Sequence, residues 1–217
     1  RTIAPVRAID TAVRAAAVDA LAQADVIVTS VGAGNIAAIA PLIAEGLAAR
    51  TSRVNVLAFE NMADGGEALS RAVAAHLPAD FPIERFGFSG TLVSRAVTQR
   101  VGTLDDDEPL EFVGDPPDTF VADANRMVHP LPHLPTMTLA HDFQAWMQRK
   151  LFIFSAGHAT CAYLGHLKGY RYIHSAILDA EIRKAVLDAM GEGQRGIAAL
   201  YGEEFAGGMP HLEEILE

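Results

Sequence analysis

The sequence of 217 residues predicts an α/β fold, in which a parallel sheet is followed by a mainly α-helical part. Two observations support this prediction. Short β-branched runs alternate with helical patterns over the first half of the chain, which is typical of strand–helix–strand units. After residue 138, apolar residues recur at helical spacing to the end of the chain.

The strands of the first half are apolar and continuous, as expected for strands that are buried on both faces. The clearest cover residues 25–31 (DVIVTSV) and 53–59 (RVNVLAF), after a short apolar run at 5–10. Helical spacing predicts helices over residues 11–23, 35–50 and 65–77. The more polar middle of the chain holds two further strand candidates, at 109–113 and 119–123.

A proline-rich stretch marks the predicted domain boundary. Pro130, Pro132 and Pro135 favour extended backbone and interrupt regular structure. We therefore expect a first domain over residues 1–129 and a helical domain over residues 130–217. In the second domain, residues 139–170 and 179–190 are the strongest predicted helices.

Composition limits the classes of function. Half of the residues are hydrophobic, so the chain can bury a core. Lys and Arg number 17 against 27 Asp and Glu, a net charge of −10, which disfavours nucleic acid and anionic membranes as partners. The single cysteine, Cys161, excludes an internal disulfide and is consistent with a cytoplasmic protein. We expect no metal site, because Cys161 and His158 lack further ligands at suitable spacing.

A glycine-rich turn follows the strand at 25–31. Gly32, Ala33, Gly34 and Asn35 open the next helix, which is the G-x-G-x-x-A context of dinucleotide binding. Glycine lets the backbone approach an anion, and the helix N-terminus supplies free N–H groups. An acid that binds ribose could stand at Glu60. An ordinary strand-to-helix turn explains the same pattern about equally well.

A second candidate site lies in the helical run that begins at Lys150. At about 100° per residue, Lys150, Ser155 and His158 fall at roughly 0°, 140° and 80°, on one side of a helix. A lysine in a partly apolar cleft has a lowered pKa and can act as a base. The alternative is a lysine that extends from a buried face beside a core histidine.

Residues 150–177 (KLFIFSAGHATCAYLGHLKGYRYIHSAI) closely resemble the signature helix of the mannitol dehydrogenase family of polyol-specific long-chain dehydrogenases. Residues 54–62 (VNVLAFENM) resemble the strand and turn of its mannitol-1-phosphate 5-dehydrogenase branch. The resemblance extends over nearly the whole chain. It implies the second half of a Rossmann-type sheet followed by a helical substrate domain.

The resemblance also implies roles for the candidate residues. The turn at residues 32–35 would face the nicotinamide end of NAD, together with Glu60 and Asn61. In the family, Lys is the catalytic base, and an Asn and a His hold the substrate oxygens. Lys150 and His158 match, whereas Ser155 stands in the place of the Asn.

The resemblance implies further substrate contacts and a reaction. The segment at 87–97 would contact substrate through Arg95 and Ser94. Gly90 and Ser94 stand where the family carries polar or acidic residues. The implied reaction is hydride transfer between NAD(H) and a sugar phosphate, fructose 6-phosphate to mannitol 1-phosphate.

Three alternatives stay open at this point. The family's adenosine-binding half and its last helices have no counterpart among these 217 residues, so the choice between NAD and NADP is open. The changes at Gly90, Ser94 and Ser155 also suit another polyol, a sugar acid or another phosphate ester. A third hypothesis is a non-catalytic remnant that acts as a binding module.

Overall fold

The structure, a computed structural model, describes residues 6–93, 97–101, 111–114, 120–131, 134 and 136–207. These residues form two compact units, residues 1–141 and 142–217 of the chain. The strands are β1 (Val26–Thr29), β2 (Val54–Ala58), β3 (Phe86–Val93), β4 (Val97–Val101), β5 (Glu111–Gly114), β6 (Phe120–Asp123) and β7 (Met137–Ala140). The helices of the first unit are α1 (Arg14–Gln23), α2 (Ile36–Ala48) and α3 (Gly65–Ala74).

The first unit is built on a five-stranded sheet in the order β1-β2-β3-β6-β7. β1, β2 and β3 are parallel and are connected through α2 and α3, as the alternating sequence pattern predicts. β6 pairs with β3 in the antiparallel direction, and β7 is parallel to β6. β4 and β5 form a separate antiparallel pair. The predicted α/β class, a parallel sheet followed by a helical part, is confirmed.

Helix packing against the parallel strands explains their apolar sequences. All five residues of β2 are buried, because this strand lies between β1 and β3 and is covered by helices. Alternate residues such as Val54 and Val56 join Leu47 of α2 and Leu69 of α3 in one core. β1 is the edge of this sheet among the described residues, and Val28 on it is 53% exposed.

The two units divide between His141 and Asp142, later in the chain than the predicted boundary at residues 129 and 130. The reason is β7, which pairs with β6 and so keeps residues 137–140 within the sheet. Asn55, buried in β2, also holds the preceding segment: its side chain donates to the carbonyl of His129 and accepts from the N–H of Val128. Pro130 therefore belongs to the first unit and does not mark its end.

The second unit is helical. Its elements are α4 (Phe143–Arg149), a π-helical segment (Lys150–Ser155), α5 (Ala156–Leu167), α6 (Ile173–Ala176), α7 (Ala180–Tyr201) and α8 (Glu203–Ala206). Its core includes Ile153 of the π-helical segment, Cys161 of α5, and Val186 and Met190 of α7. No helix within the described ranges has the length and apolar composition that a membrane span requires.

Asp179 begins α7. Its carboxylate accepts from the N–H groups of Glu181 and Ile182, which an isolated helix would leave unpaired. The ammonium of Lys168 donates to the same carboxylate at 2.9 Å. Hydrogen bonding from Lys168 accordingly lowers the pKa of Asp179. The helix predicted at 179–190 is the first part of α7, which continues to Tyr201.

Candidate functional site

The turn after β1 depends on glycine at one position. Gly32 has φ +84° and ψ 143°, a conformation that residues with a side chain rarely adopt. A single 3₁₀ turn, Ala33–Asn35, follows and leads directly into α2. All four residues from Gly32 to Asn35 are exposed. Their backbone thus lies at the surface, next to the N-terminus of a 13-residue helix.

Asn35 closes this turn. Its side-chain amide donates to the carbonyl of Val31 at 2.8 Å, and its backbone N–H donates to the carbonyl of Gly32 at 2.9 Å. The Asn35 side chain is thereby held against the preceding strand end. The turn keeps one conformation through its own hydrogen bonds.

Replacing Gly32 with Ala tests this geometry. We expect Gly32→Ala to lower the free energy of unfolding by about 1–3 kcal/mol, because alanine is strained at this φ and ψ. Gly34→Ala is the matched control, since Gly34 has no positive φ and a Cβ there meets nothing within 4 Å. Chemical denaturation followed by circular dichroism measures both variants. Equal stability of the two variants would contradict a conformational role for Gly32.

Glu60 lies under the same turn. It is only 3% exposed, and its two carboxylate oxygens accept from the Thr29 hydroxyl at 2.8 Å and from the Val31 N–H at 3.1 Å. A buried carboxylate requires such partners. Glu60 therefore ties the end of β2 to the end of β1 and to the turn. The structure places its carboxylate in contact with protein groups, where the sequence predicts an acid that faces cofactor.

Thr29 is a residue that the sequence reasoning missed. It is buried, 4% exposed, and it ends an otherwise apolar strand. The sequence does contain a signal for this contact: a hydroxyl in an otherwise apolar strand requires a buried partner, and an acid follows the next strand.

The remaining predicted contacts are Asn61, Ser94 and Arg95. Asn61, next to Glu60, is exposed. Ser94 and Arg95, the predicted substrate contacts, lie outside the described residues.

Lys150 is the first residue of the π-helical segment, and its side chain is half-buried. This burial lowers the pKa of Lys150 below the ordinary value for lysine. A larger fraction of the amine is therefore uncharged near neutral pH than for an exposed lysine. An uncharged amine can accept a proton, which is the property that a general base requires.

Ser155 ends the π-helical segment, and His158 follows in the first turn of α5. Both side chains are exposed. The sequence predicts an α-helix here, and the π-helical register corrects the predicted angles. A π-helix pairs each residue with the fifth one along, so Ser155 is rotated toward the side that carries Lys150. Lys150, Ser155 and His158 thus share one helical stretch of the second unit.

Cys161 belongs to the core and does not join His158. It is 2% exposed, its thiol lies 3.8 Å from the carbonyl of Ile173, and burial raises its pKa. A protonated, buried thiol is a poor metal ligand. Among the described residues, no three His, Cys, Asp or Glu side chains are grouped as metal ligands.

The candidate residues therefore form two groups, each within its own unit. The first contains the turn at residues 32–35 with Glu60 and Thr29. The second contains Lys150, Ser155 and His158. The first group offers exposed backbone at a helix N-terminus, and the second offers a half-buried amine with a hydroxyl and an imidazole nearby along the helix.

Comparison with known proteins assigns both units. Residues 1–136 match the family model described as the mannitol dehydrogenase Rossmann domain, and residues 142–206 match the one described as the mannitol dehydrogenase C-terminal domain. The two matches meet close to the division between the two units.

Two solved structures share the fold. A substrate-free D-sorbitol dehydrogenase is 17% identical, with a TM-score of 0.65, over 88% of this chain and 52% of that one. The ternary complex of Pseudomonas fluorescens mannitol 2-dehydrogenase with NAD and D-mannitol is 16% identical, with a TM-score of 0.61, over 91% and 53%. The chain thus spans about half the length of these proteins. With family models matching 1–136 and 142–206, the chain belongs to the mannitol dehydrogenase family.

Proposed function

We propose that this chain acts in an NAD(H)-dependent oxidoreductase that interconverts a polyol and a keto sugar, with Lys150 as the general acid and base. The observation that carries the proposal is the half-buried amine of Lys150. Burial lowers its pKa, which raises the fraction of amine that is uncharged and able to accept a proton at a given pH. Membership of the mannitol dehydrogenase family supplies the class of reaction.

In polyol oxidation, the uncharged amine of Lys150 takes the proton from the reacting hydroxyl as the carbonyl forms. In reduction, the ammonium returns that proton to the new hydroxyl oxygen. Hydride transfer is the chemistry that NAD(H) supplies when it is bound. The protein's part is to hold the hydroxyl near Lys150 and to keep the amine partly out of water, which keeps its pKa low.

Ser155 and His158 are the proposed partners of the substrate oxygens. Both are exposed, so their polar atoms are accessible to a small molecule. The Ser155 hydroxyl donates a single hydrogen bond, where the Asn of related sequences would donate two. The imidazole of His158 donates or accepts according to its tautomer. Together they would orient the carbon that is oxidised.

The turn at residues 32–35 fits the nicotinamide side of the cofactor. Gly32 keeps side-chain bulk away from the surface of the turn, and the N-terminus of α2 lies beside it. Asn61, which follows Glu60 in the sequence, is exposed, and we include it as a proposed cofactor contact. Glu60 would act by holding the turn in place, since both of its oxygens accept from protein groups.

For the substrate we propose a sugar phosphate, mannitol 1-phosphate and fructose 6-phosphate, with Arg95 and Ser94 among its contacts. The Glu-Asn-Met sequence at residues 60–62 favours this choice. A free polyol is the second candidate, because the two similar structures are a sorbitol dehydrogenase and a mannitol 2-dehydrogenase.

Absorbance at the NADH band tests the proposal and separates the two candidates. The protein expressed from its natural gene is given NADH with fructose 6-phosphate, and with fructose in a parallel assay. We expect oxidation of NADH with the phosphate ester. Oxidation with fructose alone would select the free polyol. Oxidation with neither, in a protein that binds NADH, would contradict both substrates.

A further inference from the structure

Gly193 of α7 contacts the π-helical segment more closely than any side chain would allow. A Cβ placed on Gly193 would collide with the carbonyl oxygen of Phe152 and would lie 2.7 Å from its carbonyl carbon. Both atoms belong to the backbone, so no rotation of a side chain relieves the clash. Only glycine at position 193 permits this approach of the two helices.

The close contact is specific to position 193. Gly196 lies one turn further along the same helix, and a Cβ there meets nothing within 4 Å. Gly191 would place a Cβ 3.4 Å from a terminal nitrogen of Arg195, which is a flexible group. The glycine content of α7 thus does not by itself explain the contact. Gly193 has a partner, and that partner is the middle of the π-helical segment.

The contacted carbonyl lies where the helix changes register. The N–H of Ala156 donates to the carbonyls of Leu151 and Ile153. In an α-helix the same N–H would donate to the carbonyl of Phe152. The carbonyl that the π-helical register bypasses at Ala156 is therefore the one against which Gly193 rests.

We propose that Gly193 is a positioning residue, whose missing side chain lets α7 hold the π-helical segment in the register that places Lys150. The inference rests on the proposed function of Lys150. Lys150 begins this segment and lies two positions before Phe152. A side chain at position 193 forces α7 away from the segment, and the packing around Lys150 loosens.

A second close contact joins α7 to α5, the helix that continues from the π-helical segment. A Cβ on Gly157 of α5 would be 2.7 Å from the Cγ and Sδ atoms of Met190 in α7. Because the Met190 side chain can move, Gly157→Ala is a milder change than Gly193→Ala. It perturbs the packing of α7 against α5, two residues after the π-helical segment ends.

The test is the pH dependence of lysine acetylation by acetic anhydride, measured by mass spectrometry on the unliganded protein. The chain has three lysines, and Lys168 serves as the internal reference because hydrogen bonds from its ammonium to Glu181 and Asp179 raise its pKa. In the parent protein we expect Lys150 to become reactive at a lower pH than Lys168. The acetylation midpoint is the pH at which a lysine reacts at half of its maximal rate. In Gly193→Ala we expect this midpoint to rise for Lys150. Its uncharged fraction at a fixed, mildly alkaline pH should then fall about three- to tenfold.

Gly196→Ala is the matched control and should keep the parent's midpoint. A folded Gly193→Ala protein with the parent's Lys150 midpoint would overturn the proposal, as would equal shifts of Lys150 and Lys168. If Gly193→Ala does not fold, Gly157→Ala carries the test: a smaller upward shift of Lys150 supports the proposal, and an unchanged midpoint overturns it. Because acetylation requires no substrate or cofactor, absence of turnover would count against the proposed function alone.

Discussion

Replacing Lys150 with methionine is expected to lower turnover by about 10²–10⁴-fold, the usual contribution of general acid–base catalysis. Methionine keeps the length and apolar stem of the side chain and removes the amine. The half-buried stem should therefore pack much as before. Turnover is measured by absorbance of NADH at saturating substrate. The loss should fall on kcat, because the proton is transferred in the chemical step.

Lys184→Met is the matched control for this variant. Lys184 is exposed on α7 and forms an ion pair with Asp188 at 2.5 Å, four residues along the same helix. Such surface pairs contribute little to stability. We expect parental turnover in this variant. Parental turnover in Lys150→Met as well would contradict the role of Lys150.

Stability should change in the opposite direction to turnover. Burial disfavours the charged form of Lys150, so its pKa in the folded protein is lower than in the unfolded chain. At a pH below the pKa of Lys150 in the folded protein, the buried charge destabilises the fold by its full amount. This destabilisation disappears as the pH rises toward the pKa of Lys150 in the unfolded chain. Lys150→Met should therefore be more stable than the parent at neutral pH, and the difference in the free energy of unfolding should become smaller at alkaline pH. Chemical denaturation at several pH values measures this difference.

Replacing Glu60 with alanine is the second large change that we expect. Glu60→Ala leaves the buried hydroxyl of Thr29 and the N–H of Val31 without their partner. The loss of such a buried partner costs about 1–3 kcal/mol in the free energy of unfolding. Because the turn at residues 32–35 loses its support, NADH binding should weaken about tenfold or more. Denaturation and fluorescence titration with NADH measure the two effects.

Glu84→Ala provides the control for Glu60→Ala. Glu84 is an exposed residue of the same unit, and its removal should change neither stability nor NADH affinity. In both stability and NADH affinity, Glu60→Gln should fall between Glu60→Ala and Glu84→Ala, since an amide oxygen still accepts one hydrogen bond. Weakened NADH binding in Glu60→Ala with no loss of stability would indicate direct contact with the cofactor and contradict a supporting role.

The sequence predicts the parallel part of the fold well. Residues 25–31 and 53–59 contain β1 and β2. β2 is buried throughout, as predicted, whereas β1, predicted to be buried on both faces, exposes Val28 at the edge of the described sheet. The helix predicted at 65–77 begins at the first residue of α3. These elements follow from local pattern alone. The family resemblance is likewise confirmed by matches to both family models.

The remaining differences depend on tertiary contacts. The short run at 5–10 reads as a strand, yet residues 6–10 form none, and residue 5 is not described. β7 lies partly in a segment predicted to be helical, and its pairing with β6 decides its conformation. The π-helical register at Lys150 has no sign in the spacing of residues along the sequence, and neither does the close contact of this segment with Gly193. Glu60 is buried because Thr29, far earlier in the chain, offers a hydroxyl.

The pH dependence of kcat/KM in both reaction directions tests the role of Lys150 most directly. Polyol oxidation requires the uncharged amine, so its rate should rise with pH and level off above the Lys150 pKa. Ketose reduction requires the ammonium, so its rate should fall through the same pKa, which lies below that of an ordinary lysine. Both slopes should vanish in Lys150→Met. Slopes of the same sign in the two directions, or slopes that survive in Lys150→Met, would contradict Lys150 as the acid and base.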